Sequence, residues 1–311
     1  MLTSDQKYDI VSRCLMNWNP ADDGRTTFFE EHFDEWIDQV SAEAQPTVIE
    51  LLKDFEYFSQ PKVNQFLKEL HNKLILIQDF DVHEAIFTCL PSKRGIDNSS
   101  IEYLINYKNM HSISKFDVVT SLEKYIKTSE KVFKNKKYIV FVDDFCGSGR
   151  TFIDFMKNHL GILTGKTIYY VITYIMTEAI KNIQDEAAEH LLQVQILYCN
   201  QSDKAFDRHL FSEEVELARK KFYKASLESG VKEDLIWGYS GSESLVSFFN
   251  DTPNNTLGLF WHDSPNYFSI FPRENVRGEK NKRPTPRSMK IQKTERNNQN
   301  YIAHKRSALN G

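Results

Sequence analysis

No run of about 18 consecutive apolar residues occurs in this 311-residue chain, which excludes a transmembrane helix of ordinary length. The N-terminus lacks the charged-then-apolar pattern of a secretion signal, so a cytoplasmic protein with no membrane partner is expected. Cysteine is scarce: Cys14, Cys89, Cys146 and Cys199 lie far apart, form no CxxC pair and have no histidine at ligand spacing. That pattern supports neither a zinc site nor a disulfide framework. The nine histidines contain no HExxH spacing, and no Ser/His or Cys/His arrangement suggests a covalent nucleophile.

What is present is globular. Apolar residues make up 41% of the chain and aromatics 13%, which points to a core packed with Phe and Tyr in one large domain or two. The net charge of −4 is unevenly spread. From Glu274 to Gly311 ten Lys/Arg stand against three acids, so this tail carries +7 and the rest of the chain −11. Few apolar residues accompany those charges, so 274–311 is expected to be a poorly ordered basic tail. It reads either as a nucleic-acid contact or as a solvated terminus.

The chain is organised around Tyr138 to Phe155, YIVFVDDFCGSGRTFIDF. The run Tyr138 to Val142 has the composition of a buried parallel strand, and it ends in two carboxylates, Asp143 and Asp144. Gly147-Ser148-Gly149 follows, and after Thr151 the residues Phe152, Ile153, Phe155 and Met156 fall at helical spacing. Strand, acidic pair, glycine loop and helix together make a phosphate-binding arrangement, because unsatisfied N–H groups at a helix start favour an anion. A Walker A loop is excluded, since Asp144 stands where its first glycine belongs and Arg150 replaces its lysine. A dinucleotide fingerprint is excluded by Phe152 at its third glycine. Cys146 reads as a buried filler at an apolar motif position, with an activated thiol as the alternative.

Helices dominate residues 1–82. Phe33, Trp36, Ile37 and Val40 form one core-facing stripe, Val48, Leu51, Leu52 and Phe55 a second, and Val63, Phe66, Leu67, Leu70 and Leu74 a third. A main domain is expected over 83–273. Glu84 to Leu90 reads as a strand followed by the basic turn Lys93, Arg94 and Gly95. Asn98 to Lys108 reads as a helix capped by Ser99 or Ser100, and Ser114 to Lys127 as another, with Phe116, Val119, Leu122 and Ile126 on one face. Strands at Thr167 to Ile175 and Val194 to Cys199 flank a helix around Glu178 to Leu192, and Ser212 to Leu227 is again helical. This alternation predicts an α/β fold with a parallel sheet covered on both faces and ligands at the carboxyl ends of its strands. Gly238 to Arg273 carries a Thr-Pro-Asn-Asn-Thr turn between apolar runs. Its Asn254, Asn255, Trp261 and Arg273 suit either ligand contact or a structural turn with an aromatic core edge.

Over Val140 to Thr151 the sequence resembles the phosphoribosyl diphosphate motif of type I phosphoribosyltransferases. The combination of VDDFCGSGRT with the later TPNNTLGLFW and FPR resembles, more narrowly, a phosphoribosyltransferase-like family associated with prokaryotic conflict and defence systems, including retron operons. That resemblance covers roughly Trp18 to Arg273. It implies a phosphoribosyltransferase-like sheet with flanking helices behind a helical N-terminal region. It places Asp143 and Asp144 on the ribose hydroxyls, and Phe145, Cys146, Gly147, Ser148, Gly149, Arg150 and Thr151 around the 5′-phosphate. Lys93, Arg94 and Gly95 would grip pyrophosphate, and Mg²⁺ would bridge ligand and acids. Phosphoribosyl diphosphate or a nucleotide is the implied ligand, with glycosyl transfer or pyrophosphate cleavage as the chemistry. A reverse transcriptase or nucleic-acid partner would meet the basic tail. A helix over Ser114 to Lys127 departs from the mobile hairpin that closes such sites, which keeps a non-catalytic ligand sensor open beside an enzyme.

Overall fold

The computed structural model describes residues 2–19, 23–91, 99–115, 117–208 and 210–273. The chain divides into two compact units, one made of Met1–Gln60 together with His209–Gly311 and the other of Pro61–Arg208. The first unit is therefore discontinuous in sequence.

The first unit begins with three helices, α1 (Ser4–Trp18), α2 (Gly24–Asp38) and α3 (Gln45–Lys53), and a short strand β1 (Glu56–Phe58). Thr3 and Gln6 form a capping box at α1, and the Asp23 carboxylate caps α2 by accepting from the Arg25 and Thr26 amides. Its later segment adds α10 (Val215–Glu228) and β7 (Val246–Phe248). Strand β7 pairs in parallel with β1, Glu56 opposite Val246 and Phe58 opposite Phe248. The apolar stripes of α2 and α3, with Phe55, are buried here. So are Leu257, Leu259, Phe260, Ile270 and Phe271 from the C-terminal segment.

The second unit opens with α4 (Gln60–Ile75), whose stripe Val63, Phe66, Leu67, Leu70 and Leu74 is buried as its spacing predicts. Then follow β2 (Ala85–Thr88), α5 (Ser99–Met110), β3 (Val118–Val119), α6 (Leu122–Asn135), β4 (Tyr138–Cys146), α7 (Arg150–Asn158), α8 (Leu160–Leu163), β5 (Thr167–Met176), α9 (Thr177–Glu189) and β6 (Gln193–Ser202). The five strands form one all-parallel sheet in the order β3-β2-β4-β5-β6. Ile139 to Val142 are fully buried, as a central parallel strand covered on both faces requires.

The helix expected over Ser114 to Lys127 is a correction. Val118 and Val119 instead pair with Phe87 and Thr88 as the edge strand β3, and the helix starts only at Leu122 behind a Ser121 cap. The two β-branched residues suit a pleated edge, and the helical stripe that includes Leu122 and Ile126 belongs to α6. From β2 the chain runs outward to β3, and from β4 outward the other way to β5. The winding therefore reverses between β2 and β4, and the carboxyl ends of these neighbours flank the switch point where ligands of open parallel sheets bind.

Candidate functional site

The acidic pair lies on that central strand at its carboxyl end. Asp143 still pairs with Ile172 of β5, and Phe145 pairs with Tyr174. Asp143 is buried, 6% exposed, and its carboxylate is held on both oxygens. Oδ1 accepts from the Ser100 hydroxyl at 2.5 Å and from the Asp144 amide at 3.0 Å, and Oδ2 accepts from the Tyr170 hydroxyl at 2.7 Å. Burial raises the Asp143 carboxyl above the usual carboxylate range, opposed by the donated hydrogen bonds. Asp144 is the more exposed partner, and its Oδ1 accepts from the Phe145 amide at 2.9 Å.

The turn after the strand is built for close approach. Gly149 sits at φ +79°, and a Cβ there would lie 3.0 Å from Ile183 Cγ1 and 3.3 Å from the Ala179 carbonyl of α9. Only glycine meets both demands, the left-handed backbone and the contact with α9. The Ser148 carbonyl accepts from Asn182 Nδ2 at 3.1 Å, a second brace from α9. Helix α7 then begins at Arg150 with no side-chain cap, so the turn leads straight into the positive end of a nine-residue helix. Gly147 and Gly149 are buried, Ser148 is half-buried, and Arg150 and Thr151 are exposed, Arg150 reaching Asp154 at 4.0 Å. Cys146 is buried and its thiol is pushed up to about 12, chiefly by desolvation, which leaves it unreactive at neutral pH. Phe145 stacks on Tyr174 at 5.7 Å.

Lys93, Arg94 and Gly95 lie outside the described residues. Asn254, Asn255, Trp261 and Arg273 belong to the other compact unit. There Asn255 Nδ2 donates to Ser242 Oγ at 3.0 Å and to the Tyr239 carbonyl at 3.3 Å, and the Asn254 carbonyl accepts from the Tyr239 amide at 2.7 Å. Trp261 is buried with its indole N–H on the Thr256 carbonyl, and the Arg273 guanidinium lies over the Trp261 ring while pairing with Asp251 at 3.2 Å. Sequence reasoning missed Ser100 and Tyr170 as members of the acidic site. Ser100 enters only as a helix cap and Tyr170 only as a strand residue, since no local pattern marks either as a partner of Asp143.

A family model described as PRTase-CE matches residues 33–273. No curated protein and no solved structure matches the chain.

Proposed function

Because this chain belongs to the phosphoribosyltransferase-like PRTase-CE family, we propose that it binds a ribosyl phosphate, as phosphoribosyl diphosphate or a nucleotide, at the carboxyl end of β4. The observation that carries this reading is the junction itself: an acidic pair on the central strand, then a glycine turn into the uncapped start of α7, beside the switch point. Carboxylates accept from ribose hydroxyls, and backbone N–H groups at a helix start receive a phosphate. Asp144, the more exposed acid, takes the hydroxyls, and residues 147–151 take the 5′-phosphate.

Among the described residues no group of three or more His, Cys, Asp or Glu is arranged to hold a metal. Mg²⁺ keeps several waters and commonly binds through one or two carboxylates plus substrate phosphates, so Asp144, the more exposed acid of the pair, fits the ion as a companion of a pyrophosphate ligand. When bound, it supplies charge neutralisation at the phosphates. Turnover would break the bond between the anomeric carbon and pyrophosphate, release pyrophosphate with that electron pair, and join the carbon to an acceptor. The protein's share is positioning and electrostatics, with Lys93 and Arg94 assigned to the leaving group. In this reading the chain is a cytoplasmic effector of a prokaryotic, retron-type antiphage system, with its basic tail on a nucleic-acid or reverse-transcriptase partner. The enclosure of Asp143 by protein donors favours a second reading, a ligand sensor that regulates such a partner without turnover.

Calorimetric titration with phosphoribosyl diphosphate, with and without Mg²⁺, tests the site. Wild type is expected to bind, and Asp144→Asn to weaken binding about 100-fold, the loss of roughly 2.7 kcal/mol. No heat in wild type, or equal affinity in the variant, refutes the assignment. Product analysis of the same samples separates enzyme from sensor.

A further inference from the structure

Asp143 has the surroundings of an internal support, and its donors connect parts of the site that are distant in sequence. Ser100 comes from the first turn of α5, and Tyr170 from β5. Tyr170 is fully buried and does three things at once. Its hydroxyl donates to Asp143 Oδ2 at 2.7 Å and lies beside the thiol of Cys146, the last residue before the glycine turn. Its ring stacks on Phe152 in the first turn of α7, with centroids 4.4 Å apart and planes 7° from parallel. The same side chain therefore touches the acidic pair, the entry to the phosphate turn and the helix that supplies the N–H groups.

We propose that Tyr170 and Ser100 are positioning residues of this site, acting through Asp143, which itself touches no ligand and instead sets the place of the Asp144 carboxyl relative to the phosphate-binding turn. The inference rests on the ribosyl phosphate reading given above. Its physical basis is that Asp143 Oδ1 accepts from the Asp144 amide, so the backbone that carries the Asp144 carboxyl is held in place only while Asp143 is held. Tyr170 supplies that restraint from the strand and Ser100 from the helix.

The test is titration of the full chain with phosphoribosyl diphosphate and Mg²⁺. Wild type, Asp144→Asn, Asp143→Asn, Tyr170→Phe, Ser100→Ala and Tyr170→Phe/Asp143→Asn are compared, each checked for folding by thermal unfolding. Tyr170→Phe keeps the stack on Phe152 and removes only the hydroxyl. It and Asp143→Asn are each expected to weaken binding about 10-fold, roughly 1.4 kcal/mol, and the double variant to be no weaker than either single one. Non-additivity is the mark of residues that act as one unit. Ser100→Ala follows the same direction and carries the test if Tyr170→Phe does not fold.

Rescue separates positioning from a general loss of packing. Ser100→Thr, which keeps a hydroxyl donor for Asp143, is expected to retain the affinity that Ser100→Ala loses. Wild-type affinity in both Tyr170→Phe and Ser100→Ala overturns the proposal, as do equal losses in the two Ser100 variants, or losses in Tyr170→Phe and Asp143→Asn that multiply in the double variant. If wild type does not bind, or Asp144→Asn binds like wild type, the ribosyl phosphate reading itself fails and the proposal falls with it. A loss confined to Asp144→Asn leaves that reading standing and rejects positioning alone.

Discussion

The two compact units satisfy their buried polar groups in different ways. In Pro61–Arg208 a five-stranded parallel ladder pairs the backbone, so side chains such as Tyr170 and Ser100 are available to serve one buried carboxyl. In the other unit the only ladder among the described residues is the three-residue pair β1 with β7, and aromatic donors take over. Trp18 Nε1 donates to the Phe55 carbonyl at 2.6 Å, and Trp261 Nε1 to the Thr256 carbonyl at 2.7 Å. Trp36 Nε1 donates to the Tyr267 hydroxyl, whose O–H donates in turn to the Leu259 carbonyl, both at 2.6 Å. Phe55 stacks on Phe271 at 4.7 Å, so the rings carry the packing as well. Where backbone is irregular, large side chains with one polar atom satisfy carbonyls and fill space together.

The buried ionisable groups differ in the same sense. Asp143 has three donors, on both of its oxygens. Arg25, 3% exposed, has its Nη2 on the Ser247 and Thr252 hydroxyls at 3.2 and 2.5 Å, while Nε and Nη1 have no hydrogen-bond partner. A carboxyl escapes part of the cost of burial by protonation, and a guanidinium has no such route.

If close backbone approach is what holds the aromatic unit, the largest effect belongs to Gly238→Ala. Gly238 is at φ +71°, and an added Cβ would lie 2.0 Å from the Asn255 carbonyl oxygen, a backbone atom with little room to move. A loss of about 4 kcal/mol or more is expected in denaturant unfolding. A variant of native stability would show that this turn is loosely held. Tyr267→Phe sharpens the contrast at smaller cost. It removes the acceptor for Trp36 and the donor to Leu259 together, and about 1–3 kcal/mol should be lost. A neutral result would assign the unit's stability to ring packing alone.

The smallest effect tests the sheet unit by pH. His71 and His111 stack at 3.8 Å, and His71 Nδ1 is bonded to the Tyr107 hydroxyl at 2.9 Å. Desolvation, with His111 nearby, lowers His71 to about 4, and desolvation, with Lys68 nearby, lowers His111 as well. Between the ordinary 6.5 and about 4 the unfolded chain binds more protons, so stability is full above that window and declines as pH falls through it. In His71→Gln, which retains an acceptor but does not titrate, the urea midpoint should depend less on pH over this range. An unchanged slope would remove the histidine pair from the account.

Much of this protein was legible from local pattern. The three apolar stripes of the N-terminal helices, the run Tyr138 to Val142, the alternation of strands and helices, and the acidic pair before a glycine turn each lie within a short window. Each follows from side-chain periodicity or backbone freedom that a few residues determine. Val118 and Val119 were misread because a two-residue strand is too short to break a helical stripe that continues into α6. What only the tertiary structure decided are pairings across distance: Glu56 beside Val246, Trp36 on Tyr267, and Ser100 and Tyr170 on Asp143. Asp143 and Asp144 are identical in sequence terms, yet one is enclosed and the other more exposed. That difference arises because burial and hydrogen-bond partners are properties of the closed chain, set by which distant segments meet, and no local periodicity contains them.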